Sequence, residues 1–195
     1  MTIGTEQGAA AVPRERRSPG LAVLFDGLVE DGRHSILDLG PASGAHLMLL
    51  GRYASQIRFA NLLTSAAPGP DWQEAVRALA PNPERPYDAV LAWDVLDRLD
   101  PDGRSILMAR LTEVTAARAR IHTIAGGEAA GAPAALAFTL LDLDRVLERA
   151  SGVTSAPAGP LLPAQMERVL APFQVTSAFM LRTGAREYVA MKQGR

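Results

Sequence analysis

The sequence predicts an α/β fold, built on a mostly parallel sheet and closed by a C-terminal antiparallel hairpin. Three observations predict it. Apolar runs of strand length alternate with stripes of helical period along the chain. The stretch ILDLGPASGAHLMLL, Ile36 to Leu50, reads as strand, glycine-rich turn and helix. The last two β-rich runs, FQVTSAFMLR and AREYVAMK, meet at Thr183 and Gly184 as the arms of a hairpin do. At 195 residues the chain has the length of one domain, enough to bury a core and hold a small molecule.

Residues 1–18 are polar, small and without periodicity, so a mobile arm is expected there, with the arginines of PRERR solvated and the domain proper spanning 19–195. Leu21, Leu24, Phe25 and Leu28 follow the i, i+3, i+4, i+7 spacing of a helix, with Gly32 placed to end it. His34 to Leu39 is a buried strand, Gly40 to Gly44 a turn, and Leu47, Met48 and Leu50 mark the next helix. Gln56 to Leu62 is again of strand length, which completes a β-α-β unit with a right-handed crossover.

Beyond the loop Ser65 to Pro70, a stripe of Trp72, Ala75, Val76 and Leu79 predicts a helix with Asp71 as N-cap and Glu74 as its capping-box partner. Between Leu63 and Pro86 this helix is found but no third strand. Tyr87 to Trp93 is the following strand, and Asp100 with Pro101 suits the N-cap and first position of a helix bearing Leu107, Leu111 and Val114. Ala119 to Ala125 is a strand. Gly126 to Ala137 and Ser151 to Pro160 are loops by composition, and Leu143, Val146, Leu147 and Ala150 predict a helix over Leu140 to Ala150. Pro163 starts a helix with Met166, Val169 and Leu170.

Composition excludes several classes of chemistry. Hydrophobic residues at 48% and charged residues at 21% are those of a folded globular chain. Without cysteine there is no thiolate zinc site, iron-sulfur cluster or disulfide, and a reducing cytoplasm is the expected compartment. No apolar stretch approaches the ~20 residues of a membrane span, and the first residues lack a signal-peptide pattern. A net charge of -1 without a basic block argues against a nucleic-acid partner. No HExxH, no histidine pair at metal spacing and no GxSxG elbow occurs, so no metal is expected.

The turn after the first long strand carries the chemistry. Glycine lacks Cβ, so Gly40 and Gly44 let backbone approach a ligand closely. A P-loop would need a lysine that this stretch lacks, and a GxGxxG fingerprint would map onto Gly40, Ala42 and Ala45, matching only the first glycine. Asp38 lies in an apolar strand, where an unpaired carboxylate is costly, so it needs hydrogen bonds from the turn or from a ligand. Asp94 and Asp97 fall just past a parallel strand, at the edge where α/β sheets bind ligands; a solvated loop and helix cap is the other reading. His122 is a lone histidine on a strand, read as a core or surface residue ahead of a catalytic one, and His34 and His46 rank below it.

The run LDLGPASG, with Asp38 two residues ahead of Gly40 and Gly44 closing the turn, resembles motif I of class I S-adenosylmethionine-dependent methyltransferases, acidic-x-Gly-x-Gly-x-Gly. Ala42 stands at the middle glycine. YDAVLAWDVLDRLDPDG resembles the family's fourth strand and following loop, and the closing helix and hairpin resemble its sixth and seventh strands, so the likeness runs from Leu21 to Lys192. It implies a Rossmann-like three-layer α/β/α sandwich, S-adenosylmethionine as cofactor and methyl transfer to a small-molecule acceptor. It implies cofactor contacts from Asp38, Gly40, Ala42, Gly44, Asn61, Trp93 and Asp94, with Asp94 also the candidate for catalysis. Asn61 takes the place of the family's acidic residue for the ribose hydroxyls, and an amide bonds them more weakly than a carboxylate. That departure and the missing third strand support a second reading, an inactive methyltransferase-like binding module with a protein partner. A nicotinamide-dependent oxidoreductase is a third, against which the terminal hairpin argues.

Overall fold

A computed structural model describes residues 13–62, 70–79, 84–126, 136–150 and 161–194. Strand β1 (Arg14–Arg17) leads into helix α1 (Pro19–Asp26), followed by β2 (His34–Asp38), α2 (Gly44–Leu50) and β3 (Ala54–Phe59). Then come α3 (Pro70–Arg77), β4 (Tyr87–Trp93), the short α4 (Val95–Arg98), α5 (Pro101–Val114) and β5 (Thr115–Ala125). The hairpin β6 (Leu136–Asp142) and β7 (Arg145–Ala150), helix α6 (Pro163–Leu170) and the hairpin β8 (Phe173–Met180) and β9 (Arg186–Lys192) complete the chain.

Six strands make one sheet in the order β3-β2-β4-β5-β9-β8. The pairs β3-β2, β2-β4 and β4-β5 are parallel, and β5-β9 and β9-β8 are antiparallel. The α/β expectation with a closing hairpin therefore holds. Among the described residues no strand pairs with the outer edge of β3. Helix α1 packs on β5, β8 and β9, while α5 packs on both α3 and α6. Ile36, Leu37, Val90, Leu91 and Ile121, at most 1% exposed, form the centre of the core.

Local chemistry sets the helix starts. Ser18 Oγ accepts from the Leu21 N–H, Ser43 Oγ from His46 N–H and Asp100 from Gly103 N–H, each satisfying a donor that the first turn leaves open. Pro101 and Pro163 occupy first-turn positions as read from the sequence. Helix α1 ends at Gly27 ahead of the expected Gly32, and α3 begins at Pro70, which places Asp71 inside the helix. The side chains of Asp71 and Trp72 lie outside the description, as do residues 1–12, 63–69, 127–135 and 151–160, on which the arm and loop expectations largely fall.

Two expectations are overturned. The helix over Leu140 to Ala150 is instead the β6-β7 hairpin, and Arg14–Arg17, expected in a mobile arm, is the strand β1 that pairs antiparallel with β7. Together they form a second sheet, β1-β7-β6. The segment's apolar residues fit both periods: Phe138, Leu140 and Val146 are buried on one side of the hairpin, while Leu143, Val146, Leu147 and Ala150 also match a helical stripe. A partner strand about 130 residues away decides between them, through pairs such as Arg16 with Val146, and no local window contains that partner. Arg16 is correspondingly not solvated: it pairs with Glu148 on β7 and Glu187 on β9, fastening the small sheet to the large one.

Candidate functional site

The carboxylate of Asp38, at the end of β2, is fully buried. Its Oδ1 accepts the Gly40 N–H at 2.8 Å and the Trp93 indole Nε1–H at 2.6 Å, and its Oδ2 lies 2.7 Å from His46 Nδ1. This triple pairing meets the cost of burying the carboxylate and holds the turn in shape. A Cβ on Gly40 would come within 3.0 Å of both Asp38 Oδ1 and Trp93 Nε1, so the network demands glycine there. Ala42 and Gly44, by contrast, are exposed, and a Cβ on Gly44 would meet no atom within 4 Å.

Asn61 is brought beside this turn. Its N–H donates to the Gly40 carbonyl at 3.1 Å, and the neighbouring Leu62 N–H to that of Leu39 at 2.8 Å, so the exit of β3 is stapled to the exit of β2. Asn61 is exposed with φ at 51°, a left-handed conformation that asparagine adopts more readily than most residues. The residue type thus has a backbone cause at the position where the resemblance places an acid.

Trp93 closes β4 with φ at 48°, an outlier for a bulky side chain. Its neighbours hold it there. The indole is fully buried, stacks on Phe138 of β6 at 5.1 Å and 5°, lies 5.7 Å from the His46 ring and meets His122 edge-on at 6.1 Å. Thr123 Oγ1 donates to its carbonyl at 2.8 Å. The small sheet therefore rests on Trp93, and Asp38 and Trp93 support the turn from beneath while Ala42, Gly44 and Asn61 present its outer surface.

Past Trp93, Asp94 pairs with Arg98, one turn on. Burial pushes the Asp94 carboxyl up, against the opposing pull of Arg98, and its Oδ1 is buried without a partner. Asp97 Oδ2 accepts the Gly126 N–H at 2.6 Å and its Oδ1 the Leu161 N–H at 3.4 Å. It ties the end of β5 to the entry of α6; burial pushes its carboxyl up, outweighing these two bonds, which pull it down. His122 is fully buried, both ring nitrogens lack a hydrogen-bond partner, and Nε2 lies 4.0 Å from Glu187.

The structure thus gathers Asp38, Gly40, Asn61 and Trp93 around one turn, with Ala42 and Gly44 on its face and Asp94 following Trp93 in the chain. His46 was ranked with His34 below His122 by sequence yet is part of the central network; the available signal was its place in the first turn of the helix that Ser43 caps. Phe138 fell between the loop read to Ala137 and the helix read from Leu140, and carried no signal. Among the described residues no three His, Asp or Glu side chains gather as a metal site, and no helix is long and apolar enough to cross a membrane.

No protein-family model and no curated protein matches the sequence. Solved structures do match. The 1,6-didemethyltoxoflavin-N1-methyltransferase of Burkholderia thailandensis, solved with 1,6-didemethyltoxoflavin and S-adenosylhomocysteine, is 13% identical with a TM-score of 0.52, over 90% of this chain and 77% of that one. The N-methyltransferase NodS of Bradyrhizobium japonicum is 11% identical with a TM-score of 0.52, over 90% and 93%. An S-adenosylmethionine-dependent methyltransferase from Mesorhizobium loti is 12% identical with a TM-score of 0.51, over 89% and 96%. The chain spans 54% of the length of another match, the pyocyanin biosynthetic protein PhzM, which is 17% identical with a TM-score of 0.46. Likeness at this level of identity concerns architecture, and the architecture is that of the class I S-adenosylmethionine-dependent methyltransferases.

Proposed function

We propose that this chain binds S-adenosylmethionine at the Gly40–Gly44 turn and transfers its methyl group to a small-molecule acceptor. The observation that carries the reading is the turn itself: a rigid inner side, set by Asp38, Gly40 and Trp93, and an open outer side at Ala42 and Gly44. The open space over Gly44 is where a Cβ would stand, and it fits a ligand drawn close to backbone. Asn61, tethered to Gly40, offers an amide to a ribose hydroxyl. The cofactor named for two of the methyltransferases described above supports the cofactor's identity, and the small molecule bound to one of them supports the class of acceptor.

When bound, the cofactor supplies a methyl group already activated on a sulfonium sulfur. The chain's own residues would contribute alignment through the turn, and Asp97 ties the end of β5 to the entry of α6. Asp94, whose Oδ1 has no partner, is the candidate base for an acceptor proton. The absence of cysteine agrees with a cytoplasmic site of action.

Calorimetry with S-adenosylmethionine tests this directly. Gly44→Val adds a side chain into open space, so the fold is retained by circular dichroism while cofactor affinity falls by about tenfold or more, roughly 1.4 kcal/mol. No binding to the unsubstituted protein at millimolar cofactor, or equal affinity in Gly44→Val, refutes the site. The second reading, an inactive binding or interaction module, draws on Asn61 and on the absence of a third strand among the described residues. It predicts no detectable S-adenosylmethionine binding at millimolar concentration.

A further inference from the structure

A groove of about 650 Å³ runs between α5 and α6, apart from the glycine turn and lined by none of its residues. Arg104 and Met108 of α5 form one wall, and Arg168, Val169 and Pro172 of α6 and its exit form the other. Its volume lies in the range of small-molecule sites, ~300–1,000 Å³.

Arg104 is the informative residue. It is only 8% exposed, its Nε donates to the Leu96 carbonyl at 2.7 Å, and its Nη2 is buried without a partner. Among the described residues neither Arg104 nor Arg168 has a carboxylate within 4.0 Å. Burial pulls the Arg104 guanidinium below its usual value, with Asp97 and Asp100 acting against that pull from a distance. A buried cation without an ion pair is costly, and a bound anion relieves that cost. The guanidinium fork matches a carboxylate in particular.

The rest of the lining narrows the ligand. Met108 is 4% exposed and, with Val169 and Pro172, offers apolar surface to a ligand's body. Glu113 also lines the groove, held by Arg110 at 2.6 Å, and its charge disfavours a multiply charged anion. We propose that the α5-α6 groove is a binding site for a small amphipathic monocarboxylate, its carboxylate on Arg104 and Arg168 and its apolar body along Met108, Val169 and Pro172. The site is independent of the cofactor reading.

Sodium octanoate is the probe, titrated calorimetrically into the full chain, with S-adenosylmethionine titrated into the same samples. Octanoate binds at submillimolar concentration, Arg168→Gln weakens it about fivefold or more, and Ala109→Trp, which fills the groove from an exposed position, abolishes binding. Arg104→Gln gives the larger loss wherever circular dichroism shows it folded; Arg168 and Ala109 are exposed, so their variants carry the test if it is not. Cofactor titration is the same in every folded variant. Absence of octanoate binding at about 10 mM, or equal binding in Arg168→Gln and Ala109→Trp, overturns the site. Equal affinity for inorganic phosphate or for octyltrimethylammonium overturns the monocarboxylate assignment.

Discussion

Glu187 is the point at which the two sheets and the N-terminal segment are joined, and neutralising it tests that role quantitatively. Its carboxylate is fully buried; Oε1 accepts from Ser18 Oγ at 2.7 Å and from Arg16, and Oε2 accepts the Gly20 N–H at 2.8 Å. Burial alone would push this carboxyl up, but the neighbouring His122 ring and Arg16 guanidinium bring it down to about 2 from the ordinary 4.5. At 1.36 kcal/mol per pKa unit, that difference corresponds to about 3 kcal/mol of folding stability.

The sign follows from a depressed folded-state value. The unfolded chain binds the proton first, so the contribution is fully present above about pH 4.5 and is lost as pH falls toward about 2. Glu187→Gln should therefore lower stability at pH 7 by about 3 kcal/mol, or roughly 6 to 12 °C in melting temperature for a chain of this size. The gap to the unsubstituted protein should close between pH 4.5 and 2. Urea or thermal unfolding followed by circular dichroism across that range is the assay. A loss below about 0.5 kcal/mol at pH 7, or a gap that persists at pH 2, would refute the reasoning.

Two further outcomes follow from the site. Phe138→Ala removes a buried ring stacked on Trp93 and should cost about 3 kcal/mol, with a red shift in tryptophan emission while the protein is still folded; a loss under about 1 kcal/mol would mean that the small sheet is not anchored there. Asn61→Asp retains a residue type that tolerates the left-handed backbone and replaces an amide with a carboxylate, so S-adenosylmethionine should bind about five- to tenfold more tightly by calorimetry. Unchanged or weaker binding would count against Asn61 as the ribose contact.

Much of this protein was legible in the chain because its causes are local. Tyr87 to Trp93 has the bounds read from its apolar run, Asp100 caps α5 as its position before Pro101 indicated, and the closing hairpin turns at Gly184, whose φ of 81° suits glycine. Strand, turn and helix from His34 to Leu50 were likewise read from apolar length and two glycines within a few residues of one another. The demand that Asp38 be paired was also local, since a carboxylate in an apolar strand must find donors.

Which donors it finds was decided by tertiary structure. Trp93 lies 55 residues from Asp38 in sequence, and only the β2-β4 pairing brings its indole to the carboxylate. The β6-β7 hairpin failed as a sequence reading for the same reason: its apolar residues satisfy a helical and a strand period together, and β1, from the other end of the chain, settles the matter. Sequence alone determined where backbone could meet a ligand, because glycine, capping and apolar spacing act over a few residues. The third dimension alone decided that Asp38 and Trp93 lie beneath that surface, because burial and pairing depend on neighbours that the chain does not place side by side.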